Sequence, residues 1–201
     1  MEQQRETAAF GMWLFLVTEI MFFGGMFCAY LVYRVSYFDA FVAGSQKMNI
    51  TLGALNTAVL ICSSVTMVLG VHAAKTNRRR ATVLFLLLTI MLGLVFLGIK
   101  AVEYHEHWIA GEFPGPNFHF DGPDPRHTQL FFSLYFAMTG LHALHMIIGI
   151  CVVGTIAYFA WKGHYSSEFH TPVEITGLYW HFVDVVWIYL FPLLYLISHK
   201  H

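Results

Sequence analysis

Five stretches of this chain run almost free of Asp, Glu, Lys and Arg. They are Phe10 to Tyr33, broken only by Glu19; Ile50 to Ala74; Ala81 to Ile99, which continues into Lys100 and Glu103; Leu130 to Trp161; and Ile175 to Ser198, broken only by Asp184. A helix needs roughly 20 mostly apolar residues to cross the hydrocarbon core of a bilayer. The pattern therefore predicts transmembrane helices over about 10–33, 50–74, 81–103, 130–161 and 175–198. Strict alternation of polar and apolar residues, the mark of a membrane barrel, is absent. The expected fold is an all-α polytopic bundle, with residues 1–201 forming a single membrane domain. On the second helix Ala54, Ala58 and Cys62 recur at every fourth position, a spacing that would allow close helix approach.

Composition sharpens this picture. Charged residues make up 11% of the 201, against roughly 25% in a soluble domain, too few to build a water-facing surface. A formal net charge of -1 leaves no basic surplus for counterion release, so nucleic acid is not an expected partner. Cys28, Cys62 and Cys151 all sit in apolar runs and form no CxxC or CxxxH pair, which removes most support for disulfides or zinc and suggests packing roles. The start, MEQQRETAAF, carries one arginine, two glutamates and no small-residue cleavage site, so the first run is expected to be a permanent span.

The remaining charge sets an expected orientation. Arg5, Lys75, Arg78, Arg79, Arg80 and Lys162 fall on one side of the bundle, and Arg34, Lys47, Arg126 and Lys200 on the other. The positive-inside rule puts the first set in the cytoplasm, with the N-terminus inside and the C-terminus outside. The long outer loop, EFPGPNFHFDGPDPRH, holds four of the six prolines and is expected to be turn-rich. Just before it, the EYHEH cluster from Glu103 to His107 is expected at the outer membrane boundary, solvated rather than metal-binding.

Ionisable groups inside a span are costly and demand a partner or a water-filled cavity. At a 1.5 Å rise, Glu19 and Asp184 lie roughly 13 Å from the inner ends of their helices, and His142 and His145 roughly 18 and 22 Å from the outer end of theirs. His181 falls one turn before Asp184. These five residues therefore share a slab in the inner half of the bundle, although spacing does not show that their helices touch. Three readings are open: a metal or haem site using His142 and His145, which share a helix face; a proton path through acids and histidines; or a hydrogen-bonded network that fixes helix packing. Spacing favours the last.

At these same residues the chain resembles subunit III of the haem-copper respiratory oxidases. Helix one reads TEIMFFGGMFCAYL, helix two opens LNTAVLICSSVT and ends with His72, helix three leaves as EYHEHW, helix four contains TGLHALHMIIG, and helix five reads YWHFVDVVWIYLFPLLYL. The resemblance runs from about Phe10 to Tyr195 and implies a non-catalytic subunit without haem or copper of its own. It implies a chain that packs against catalytic subunit I, beside subunit II and other subunits, supports proton uptake from the inner side and binds phospholipid. Glu19 matches the family's membrane-embedded glutamate. His142, His145, His181 and Asp184 match its buried polar framework, and Glu19, His72, Lys162 and His164 are the implied lipid contacts. No catalytic residue and no metal ligand is expected here; haem and copper would sit in the partner subunits, with cytochrome c as donor to the complex.

Many members have seven helices, and this chain begins where the third would begin. Five-helix forms resemble bacterial oxidase subunits, which makes a bacterial plasma membrane the expected location. A quinol oxidase subunit III, or an accessory protein linked to nitric oxide reductase, is the near alternative. An independent transporter, which would need broken helices at the midplane, and a haem-binding electron carrier, which would need axial histidines on facing helices, are the alternatives of another class.

Overall fold

The computed structural model describes residues 2–115, 118–120, 122, 124–165 and 169–197, with side chains from residue 6 onward. Lys200, the side chain of Arg5 and the expected helix end at Ser198 lie outside the described residues. Among the described residues there are six helices and no strands: α1 (Glu2–Ser36), α2 (Phe38–Gln46), α3 (Ile50–Lys75), α4 (Arg79–Ile109), α5 (Pro125–Lys162) and α6 (Thr171–Tyr195). All but α2 are long and apolar enough to cross a membrane.

The helices outrun the charge-free stretches for identifiable reasons. α5 begins at Pro125 rather than Leu130, because proline is tolerated in the first turn, where its missing N–H is an orphan anyway, and the Asp124 side chain caps the His127 N–H. α6 likewise takes Pro172 into its first turn. α4 continues to Ile109 because Lys100 and Glu103 are paired inside the bundle and do not mark its boundary. The short α2 carries too few residues to span and was not expected. It buries Phe41 and Gly44 against Phe131 of α5.

α3 and α4 form an antiparallel hairpin through the tight Lys75–Arg79 turn, whose Asn77 takes a positive φ. α6 is central, packed against α1, α2, α3 and α5. It reaches α4 through large side chains: Trp180 lies over Gly93, where an added Cβ would come within 2.9 Å of the indole. α1 and α3 flank α6 without meeting, which leaves grooves on either side of it. One end of the bundle carries the basic α3–α4 turn; the other carries the α4–α5 loop.

Two packing expectations need correction. Ala54, Ala58 and Cys62 are all exposed, and the buried seam of α3 is Gly53, Asn56, Leu60, Ser63, Met67 and Gly70. That seam takes the large α6 residues: a Cβ at Gly53 would meet Phe191 at 2.7 Å. Small size alone did not identify the packed face, because lipid-facing positions tolerate small residues equally well. The three cysteines also face outward from the bundle rather than into its core.

Candidate functional site

The expected slab is assembled from three helices, α1, α5 and α6, but only some of its members meet. α1 holds Glu19 and α5 holds His145, with Glu19 Oε2 at 3.2 Å from His145 Nε2. The other ring nitrogen, Nδ1, lies 2.9 Å from the Leu141 carbonyl one turn back. A carbonyl only accepts, so Nδ1 carries a hydrogen. The Nε2 contact then contains one proton, either on Glu19 with a neutral imidazole or on the ring with a carboxylate. Phe23 packs edge-on against the ring, and Tyr179 donates to the His145 carbonyl at 3.0 Å. The pair is partly open, at 20% and 12% side-chain exposure.

His181 does not join this pair. Its Nδ1 lies 2.6 Å from Ser64 Oγ on α3. Asp184, one turn later, is buried beside Ser64 in the α3–α6 groove, and neither carboxyl oxygen closes a hydrogen bond of good geometry. His142 is fully buried between the rings of Phe96 and Trp187, at centroid distances of 5.4 and 5.3 Å, and neither ring nitrogen has a hydrogen-bond partner among the described residues. His142 and His145 thus share a helix face in sequence but serve different surroundings.

Three of the four residues matched to lipid contacts, His72, Lys162 and His164, lie at the basic-turn end. His72 lines a groove with Lys75 and Glu174, which form an ion pair at 2.6 Å. Lys162 is exposed at the end of α5, its ammonium 4.6 Å from the Tyr158 ring centre, and His164 packs edge-on against Phe159. The left-handed Gly163 turns the chain between them.

A second polar cluster, near the loop end, was misread from sequence as a solvated boundary. Glu103 and His107 of the EYHEH run are buried, as is Lys100. Lys100 Nζ donates to Glu103 Oε2 at 2.9 Å, to Tyr135 Oη at 2.9 Å and to Tyr195 Oη at 3.0 Å, which uses all three of its N–H groups. Both phenols donate in turn to Glu103 Oε1. Beside this ring of bonds, His107 Nδ1 donates to Glu112 at 2.7 Å, and Lys47 of the α2 C-cap stands 4.0 Å from the same carboxylate. The available signal was the Lys100–Glu103 spacing of three, which puts both charges on one helix face.

At the α5 start, Asp124 is held below the usual carboxylate range by its bond to His127 Nδ1, 2.6 Å away, and His127 stacks on Tyr37 at 3.8 Å. Among the described residues no three His, Cys, Asp or Glu side chains converge as a metal cage would require.

The sequence matches the family model for cytochrome c oxidase subunit III over residues 3–199. It is similar to cytochrome c oxidase subunit 3 of Synechocystis sp., 36% identical over 190 residues covering 94% of this chain and 75% of the relative. The same-named protein of Thermostichus vulcanus is 33% identical over 189 residues, covering 94% of this chain and 86% of the relative. That of the carp Cyprinus carpio is 34% identical over 197 residues, 92% and 68% of the two chains. With five apolar spans and a match along nearly its whole length, the chain belongs to the cytochrome c oxidase subunit III family.

Proposed function

We propose that this chain is a non-catalytic subunit of a haem-copper terminal oxidase that stabilises subunit I, holds phospholipid and supports proton uptake. Haem and copper belong to the partner subunits, and cytochrome c feeds electrons to the complex. The basic-turn end faces the cytoplasm of a bacterial plasma membrane, in keeping with the excess of Lys and Arg there. The observation that carries this reading is the Glu19–His145 contact. There a carboxyl and an imidazole meet between α1 and α5, in a position neither fully sealed nor fully solvated. Within such a pair the proton can pass between carboxyl and ring with little movement, because the two forms differ only in which atom holds the hydrogen. His142, His181 and Asp184 stand at similar depth without hydrogen-bonding to the pair, while His72, Lys162 and His164 serve lipid at the basic end.

The test is Glu19→Gln in the assembled complex. The amide cannot share the proton, so turnover or its durability falls at alkaline pH, where protons are scarce, while the haem spectra stay unchanged. An unaltered pH profile together with an unaltered lipid complement would overturn the reading. So would a haem signal that stays with the isolated 23.0 kDa chain.

A further inference from the structure

Grooves run along both flanks of α6, and the one shared with α3 has a built polar end. Near the basic turn it measures about 510 Å³ and is lined by His72, Lys75 and Glu174. It continues, through Val68 and His181, which line both parts, into a second section of about 490 Å³ whose walls are mainly Leu60, Ile61, Val65 and Ile188. From Lys75 to Ile61 along α3 is about 21 Å at the helical rise, somewhat more than one leaflet of a hydrocarbon core about 30 Å thick. Gly177 lets α6 approach α3 closely at this end: a Cβ there would come within 3.1 Å of Val71.

Three polar features point to the occupant. The Lys75 ammonium is half-exposed and spends one of its three donors on Glu174 at 2.6 Å, so further donors are available at the rim beside His72. His181 Nδ1 shares one proton with the Ser64 hydroxyl 2.6 Å away, and the ring lines both sections at their junction, with Nε2 outside that bond. A ring nitrogen facing hydrocarbon without a hydrogen-bond partner is costly. A diacyl phospholipid meets all three: its phosphate at Lys75 and His72, its polar glycerol ester region toward His181, and one acyl chain in the aliphatic section.

We infer that the α3–α6 groove is a phospholipid site separate from Glu19, with its phosphate held by Lys75 and His72 and an acyl chain laid between the two helices. It rests on the lipid-binding reading above but places a lipid on a different flank from the Glu19–His145 pair.

The experiment uses the full chain in its native complex, photolabelled with a phosphatidylethanolamine carrying a diazirine on one acyl chain and mapped by mass spectrometry. A diazirine diacylglycerol, lacking phosphate, is run in parallel. Labelling should concentrate on residues 61–68 and 185–188. Val68→Trp, which fills the groove from an exposed position and spares the core, should cut it about tenfold. Lys75→Gln should raise the phospholipid needed for half-labelling by about fivefold and leave diacylglycerol labelling unchanged. Glu19→Gln should leave both alone. Even labelling of all lipid-facing positions, or indifference to Val68→Trp, overturns the site; equal labelling by the two probes overturns the phosphate assignment. Lipid extraction of the same preparation separates the two readings: tightly held phospholipid without groove labelling refutes this site alone, whereas no retained phospholipid refutes the broader lipid role as well.

Discussion

The bundle contains two buried polar clusters built from similar residues and finished in opposite ways. Near the loop end, Lys100, Glu103, Tyr135 and Tyr195 form a closed set in which every ammonium N–H and both carboxylate oxygens are used. In the slab, Glu19 and His145 share one proton and remain partly open, while His142 and Asp184 are left without well-formed bonds. Low dielectric strengthens a satisfied network and penalises an unsatisfied one. The first arrangement therefore fixes three helices against each other. The second keeps groups that can change protonation, which is what a supporting role in proton uptake would need.

That contrast can be broken most forcefully at Glu103. Glu103→Ala leaves the Lys100 ammonium buried and unpaired, an expected loss of about 3–5 kcal/mol, read as failure of the chain to accumulate in membranes or as a much lower unfolding temperature of the complex. The paired replacement Lys100→Met with Glu103→Leu should recover most of that loss, since exchanging a buried pair for apolar residues is often neutral. Failure of the pair to recover would mean that the charges do more than pack. A smaller effect is expected from Gly93→Ala, which drives a methyl toward Trp180 and Ile150 and should cost about 1–3 kcal/mol by overpacking, measured by thermal unfolding with turnover otherwise intact. Trp187→Phe removes the indole bond to Thr57, 3.1 Å long, for about 1 kcal/mol, and loosens one wall around His142.

The smallest effect lies at the exposed α5 cap. Because the His127 bond lowers the Asp124 titration in the folded chain, its contribution is present above the ordinary aspartate range. It is lost as pH falls through the lowered value. Protection of the first α5 turn against hydrogen exchange, relative to the unstructured rate at each pH, should fall only in acid, and Asp124→Ala should show the reduced protection already at neutral pH.

The sequence made some of this legible and hid the rest for physical reasons. Charge-free runs reveal spans because lipid excludes charge, so all five helices could be read, while caps and first-turn prolines blurred their ends. α2 escaped because nine residues cannot span and leave no such run. Glu19 and His145 could be placed at equal depth by counting residues, but which helices touch depends on packing, and His181 turned instead to Ser64. Lys100 and Glu103 were hidden by their own success: a charge neutralised inside the bundle looks, in one dimension, like the end of a helix.

The most direct measurement compares oxygen-consumption rate against pH for two assembled oxidase complexes, one carrying Glu19→Gln and one carrying Lys100→Met with Glu103→Leu. The alkaline limb should fall earlier only in the Glu19 variant, with the paired variant matching the parent. A shifted limb in the paired variant and none in the Glu19 variant would contradict the division of labour between the closed cluster and the open pair.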